Sequence, residues 1–208
     1  MPAKTSPSLA LMSILLAGAV AAGSLLWGLG KIRREGGPIV VTTGEAEIGG
    51  PFSLIDQNGI RRSDQDFRGR YMLVFFGFTY CPDICPTTLA VLSAALNDIG
   101  PLAEDIVPIF ISVDPERDTP GNLKPYLAAF GSQFVGLTGT REETDNAVGV
   151  YRAYYRIVGG EGDDRGDDYL VDHTSIIYLM DREGKFVTNY DLNMGPGVIA
   201  ADLRKRIR

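Results

Sequence analysis

The run YMLVFFG at Tyr71–Gly77 constrains the fold of this 208-residue chain more than any other segment. Seven consecutive residues without a charge suit a strand buried on both faces, and such strands belong to sheets covered by helices on either side. The next segment of the chain agrees. A loop holds the chain's two cysteines, Cys81 and Cys85, and then Leu89, Leu92, Leu96 and Ile99 recur at helical spacing, with Pro86 suited to the first helical position.

The same order repeats downstream. Residues 106–113 read as a second buried strand, a helix starts near Thr119-Pro120, and Thr140-Arg141-Glu142-Glu143 is a capping box that opens another helix. Residues 174–180 and 185–190 flank the turn Asp181-Arg182-Glu183-Gly184 and predict an antiparallel hairpin. A smaller hairpin is expected at residues 52–62 around Asn58-Gly59. A last helix follows Pro196, its Arg204, Lys205, Arg206 and Arg208 favourably placed at the negative end of the helix dipole. Strands that alternate with helices and close on a hairpin predict an α/β domain with a mixed sheet, the element order of a thioredoxin-like fold.

That domain is expected over residues 51–208, preceded by a short tail at 1–8, a transmembrane anchor at 9–30 and a linker at 31–50. Residues 9–30 carry no charge, and at ~1.5 Å per residue they span about 33 Å, enough for a ~30 Å hydrocarbon layer. A cleaved signal peptide is the competing reading, because Ala19-Val20-Ala21 resembles a small-residue cleavage pattern. The apolar run continues through Leu25, Leu26 and Trp27, past where a signal sequence should stop. Lys4 before the segment and Lys31, Arg33 and Arg34 after it lean by positive-inside counting toward a cytoplasmic C-terminal domain. That bias is small, and large domains translocate largely regardless of charge.

Charge narrows the partners. Residues 37–208 hold 16 Lys and Arg against 25 Asp and Glu, a net charge of −9, which argues against nucleic acid. Five of those acids lie in residues 159–168 (GGEGDDRGDD), expected to be a solvated loop.

The chemistry concentrates in Phe78-Thr79-Tyr80-Cys81-Pro82-Asp83-Ile84-Cys85-Pro86. A proline after each cysteine disfavours helical geometry at the residue before it, so both thiols are expected on a loop. Cys85 should cap the helix that Pro86 begins, where the helix dipole favours thiolate. A disulfide between residues only four apart would close a short loop and remove little unfolded-state entropy. His173, the chain's only histidine, stands directly before an apolar strand. A residue at a strand's entrance can face the loop that leaves an antiparallel neighbour. Two thiolates and one imidazole suit copper in either oxidation state better than a hard cation. Structural zinc wants a fourth ligand, and the sequence has no third cysteine or second histidine, although Asp172 could supply an oxygen.

The chain resembles the Sco/SenC family of copper-binding assembly proteins. The resemblance lies in Gly49-Gly50-Pro51-Phe52-Ser53-Leu54, in Phe78 through Pro86, in Ile111-Ser112-Val113-Asp114-Pro115-Glu116-Arg117-Asp118-Thr119-Pro120, and in Asp172-His173-Thr174. It implies a thioredoxin-like domain tethered to a bacterial or mitochondrial inner membrane and facing the periplasm or intermembrane space. It further implies one copper, as Cu(I) or Cu(II), held by Cys81, Cys85 and His173, with Cys81 and Cys85 also a redox pair. The implied partners are cytochrome c oxidase subunit II, whose CuA centre the family helps to assemble, a copper donor protein, and the membrane through the N-terminal helix. The remaining reading is a thiol-disulfide oxidoreductase or redox sensor in which copper is incidental. Asp114 to Pro120 is taken as loop and helix-start architecture.

Overall fold

The structure, a computed structural model, describes residues 47–159, 169–191 and 193–207. The expected anchor, the tail and most of the linker lie outside the described residues, as does nearly all of the acidic loop. No helix among the described residues is long and apolar enough to cross a membrane.

The buried run forms the strand β3 (Tyr71–Gly77) at the heart of a seven-stranded mixed sheet of order β2-β1-β5-β4-β3-β8-β9. Its neighbours are the parallel β4 (Ile106–Ser112) and the antiparallel β8 (Ile177–Met180). Leu73, Val74, Phe75 and Phe76 have no exposed surface, and burying each such side chain contributes on the order of 1.5–3 kcal/mol. The outer strands are β1 (Ser53–Asp56), β2 (Arg61–Ser63), β5 (Val135–Thr138) and β9 (Phe186–Tyr190). Both expected hairpins form, β1 with β2 and β8 with β9.

Among the described residues, four α-helices obey the apolar periodicity and its caps. The first, α1 (Ile84–Ile99), buries Leu89, Leu92, Leu96 and Ile99. Thr119 caps α2 (Pro120–Ala128), and Thr140 with Glu143 forms the capping box of α3 (Arg141–Val150). The last, α4 (Pro196–Arg206), packs on α1 and carries Arg204, Lys205 and Arg206 in its final turn.

Three departures from the sequence reading bear on the site. Helix α1 begins two residues earlier than expected, with Asp83 as its N-cap, so Cys85 is its second residue rather than its cap. Pro86 is tolerated there because the first amides of a helix have no intrahelical acceptor to lose. Second, β5 has no counterpart in the sequence reading. It is four residues long with Gly136 inside it, and a Cβ there would run into Leu127 of α2. Third, a separate two-stranded sheet, β6 (Tyr155–Val158) paired with β7 (Leu170–His173), precedes β8. His173 therefore ends β7, opposite Tyr155, and β8 starts only at Ile177.

Candidate metal centre

Three chain segments converge at the C-terminal end of β3. Because β8 runs antiparallel to β3, pairing Phe75 with Ile177, the chain that enters β8 lies beside the chain that leaves β3 for the cysteine loop. This brings His173 against residues 78–85. Its Nε2 is 3.5 Å from Cys85 Sγ, and the ligand atoms of Cys81, Cys85 and His173 all lie within 4.8 Å of one another. Among the described residues this is the one cluster of His, Cys, Asp and Glu with that property. At ~2.3 Å per metal–sulfur bond, ligand atoms around one ion are at most about 4.6 Å apart, so the cluster needs only slight contraction.

The backbone fixes the histidine tautomer. His173 Nδ1 lies 3.0 Å from the Thr174 carbonyl, which can only accept, so Nδ1 carries the proton and the lone pair of the neutral ring is on Nε2, toward the thiols. Phe75 and Phe78 pack edge-on to the imidazole, with ring centroids 6.0 and 5.9 Å away, and restrict its rotation. Gly77 is the floor. A Cβ on it would lie 2.8 Å from Cys85 Sγ and 2.7 Å from the Phe110 ring, so the close approach of β3 to the thiol requires glycine.

The two thiols differ. Cys85 is fully buried, whereas Cys81 is only partly so. Hydrogen bonding from the Cys85 thiol, aided by the Cys85 and Asp83 amides, overcomes desolvation and holds Cys81 down at about 4. Cys85 is pushed far up by donating to Cys81, by burial and by the charge on Cys81. In the reduced metal-free site the thiolate is Cys81. The helix dipole, taken alone, favours thiolate on Cys85; an adjacent hydrogen-bond donor and partial solvation outweigh the dipole here.

Asp172 does not join the site. Successive residues of a strand point to opposite faces, and its carboxylate is 3.0 Å from Arg156 on the outer side of the hairpin. With three ligands of this softness, the donor set fits copper and lacks the fourth ligand of structural zinc.

Several contacts at the site escaped the sequence reading. Asp118 is fully buried and accepts from the Thr79 amide at 3.0 Å, the Thr79 hydroxyl at 2.5 Å and the Ser112 hydroxyl at 2.7 Å. Tyr80 is exposed beside Cys81, with the Arg117 guanidinium 4.6 Å from its ring centre. The contacts of Thr79 with Asp118 and of Tyr80 with Arg117 join two motifs far apart in sequence, so no local pattern signalled them.

Comparison with known proteins points the same way. The SCO1/SenC family model matches residues 40–208. The human mitochondrial SCO1 homolog is 39% identical over 193 residues, which cover 89% of this chain and 63% of that protein, so this chain spans under two thirds of its relative's length. The copper-bound structure of ScoI from Bradyrhizobium japonicum superposes with a TM-score of 0.69 at 46% identity, covering 77% of this chain and 99% of the other. A structure of BsSco, described as a member of the Sco family of cytochrome c oxidase assembly proteins and as containing a disulfide switch, gives 0.59 at 27% identity over 79% and 96%. With the family model matching residues 40–208, a relative 39% identical, and the cysteine, 111–120 and histidine motifs meeting at one end of a matching mixed sheet, this chain belongs to the SCO1/SenC family.

Proposed function

We propose that this chain is a copper metallochaperone that binds one copper through Cys81, Cys85 and His173 and helps to assemble the CuA centre of cytochrome c oxidase subunit II. The observation that carries the reading is the approach of His173 Nε2 to Cys85 Sγ, within a three-atom cluster of two sulfurs and one nitrogen. Copper is the cargo. Its two sulfur ligands serve Cu(I), and the imidazole adds the donor that Cu(II) favours. The half-buried Cys81 gives the site an open side from which a donor could load it and a client accept from it. Relatives from mitochondria, and a copper-bound bacterial one, support the same assignment.

The reading includes residues 9–30 as a single membrane anchor after a tail at 1–8, residues 31–50 as a linker, and residues 51–208 as the copper domain in the periplasm or intermembrane space. An apolar segment long enough to span the bilayer supports it.

Thiol chemistry is the second reading, favoured by the low-lying, only partly buried Cys81 thiolate beside a buried thiol. Cys81 attacks one sulfur of a client disulfide and releases the other as thiolate. Cys85, once deprotonated, then attacks Cys81 Sγ and expels the second client thiolate. The client disulfide is reduced by two electrons and the Cys81–Cys85 pair is oxidised to a disulfide.

The test is metal analysis and absorption spectroscopy of the purified, reduced chain after copper loading. One equivalent, with sulfur-to-copper charge transfer in the Cu(II) form, is the expected result. Failure to retain copper against a modest chelator would leave the oxidoreductase reading.

A further inference from the structure

The histidine half of the site sits on a sheet of its own. Among the described residues no backbone ladder joins β6 and β7 to the seven-stranded sheet, so the register that fixes β3 and β8 does not by itself fix His173. Besides the core burial of Val171 and the rings of Phe75 and Phe78 on His173, polar contacts from the loop of residues 113–119, between β4 and α2, tie the hairpin down. Asp114 is fully buried and accepts the Tyr169 hydroxyl at 2.6 Å, immediately before β7. Arg117 donates to Asp114 at 2.5 Å and to the Tyr169 carbonyl at 3.1 Å, and its guanidinium lies 3.6 Å from the Tyr169 ring centre. At the other edge, Arg141 bridges the Val113 carbonyl at 2.9 Å and the hydroxyl of Tyr155, the residue paired with His173, at 2.8 Å. The same loop grips the cysteine half, through Asp118 on Thr79 and through Arg117 over the rings of Tyr80 and Phe78.

Building on the three-ligand reading, we propose that residues 113–119 form a clasp that sets the separation of His173 from the two cysteines, with Asp118 the positioning residue of the cysteine loop and Asp114 and Arg117 those of the histidine strand. None of the three supplies a ligand atom to the cluster. Buried charges are weak contributors to stability, because hydrophobic replacements of similar volume often do as well, whereas charge-assisted hydrogen bonds are strongly directional. Three buried ionisable side chains in one loop, with partners on both ligand-bearing segments, suit a device that fixes geometry.

The clasp is tested in the full chain with Tyr169→Phe, which removes only the hydroxyl that Asp114 holds, with Thr79→Val on the cysteine side, and with Arg156→Ala as a control on the outer face of the same hairpin. Copper itself is the probe, in both oxidation states, by competition with a chromophoric chelator. Amide hydrogen exchange on the metal-free protein is the second readout. Tyr169→Phe should weaken Cu(II) binding about tenfold or more, the usual range for lost outer-shell support, while Cu(I) affinity changes less. Protection should fall at residues 170–173 but not at 79–81, with the reverse for Thr79→Val and neither for Arg156→Ala. In a His173→Ala background the Tyr169→Phe effect on copper should vanish, because it acts through that ligand. Undiminished protection at residues 170–173 in Tyr169→Phe, or an equal loss of copper affinity without His173, would overturn the clasp. If the unaltered chain takes up no copper, the three-ligand reading fails, and the exchange data on metal-free protein still decide the clasp.

Discussion

Cys85 Sγ and His173 Nε2 lie 3.5 Å apart across 88 residues of sequence. The contact is made by topology. Cys85 enters from the helix after β3, His173 from the strand that precedes β8, and antiparallel pairing of β3 with β8 brings those two ends together. A site of this kind has two halves that are distant in sequence and meet through the pairing of β3 with β8, so its properties should respond to changes in the floor, the thiols and the imidazole in distinguishable ways.

Changes in the floor come first. Gly77→Ala places a methyl group 2.8 Å from Cys85 Sγ and 2.7 Å from the Phe110 ring, both fully buried, so one of them must shift within the core. Overpacking of this kind costs about 1–3 kcal/mol. Urea denaturation of the metal-free protein should show that loss, and copper titration of the folded fraction should show weakened affinity through displacement of Cys85. Wild-type copper affinity in this variant would mean that the thiol can move without consequence.

The asymmetry of the thiols makes a second prediction. Because Cys81 is held at about 4 chiefly by hydrogen bonding from Cys85, it should be alkylated at pH 6 while the buried Cys85 is spared. Mass spectrometry after limiting iodoacetamide reads the order directly. Cys85→Ala removes the principal donor, so the midpoint of Cys81 alkylation against pH should move up toward the ordinary thiol value of 9.0.

A third prediction concerns stability away from the site. Burial would raise the Asp56 carboxyl, but hydrogen bonds from the Ile60 and Asn58 amides and from Arg62, at 3.0, 2.9 and 3.0 Å, outweigh it and hold the group below 3.8. A folded-state value below the unfolded one contributes stability that is complete above the unfolded value and is lost as pH falls through the folded one. Asp56→Ala should therefore cost about 1–2 kcal/mol at neutral pH. The difference from the unaltered chain should shrink below pH 3.8. Denaturation series at several pH values check this, and a pH-independent difference would assign the cost to turn geometry alone.

Much of this was legible in the sequence because it rests on local pattern. The uninterrupted run at Tyr71–Gly77, the helical spacing of Leu89 to Ile99 and the capping box at Thr140 each announce themselves within one window. The grouping of Cys81, Cys85 and His173 was legible for a different reason, since two cysteines and a single histidine leave few combinations. The β6–β7 hairpin was not legible. Its strands are four residues each with mixed exposure, too short for a period to stand out. Nor was the identity of the thiolate, which depends on which sulfur donates to which and on how much solvent each keeps. The grip of Asp118 on Thr79 spans 39 residues and leaves no periodic trace.

The imidazole decides between the two functions, because they share the cysteines and differ only in their need for His173. If copper delivery is the task, His173→Ala leaves a two-thiolate site that can hold Cu(I) weakly but should lose stable Cu(II), and with it the charge-transfer absorption. Oxidase assembly should then fail in cells. If dithiol chemistry is the task, the same variant keeps both sulfurs and the Cys85 hydrogen bond that chiefly maintains the Cys81 thiolate, so client disulfide reduction should persist. The comparison is oxidase activity in cells that carry His173→Ala, Cys81→Ala or Cys85→Ala at matched protein levels. All three should be defective. Near-normal oxidase in His173→Ala beside two inactive cysteine variants would reject three-ligand copper delivery and leave the thiol exchange as the activity of this site.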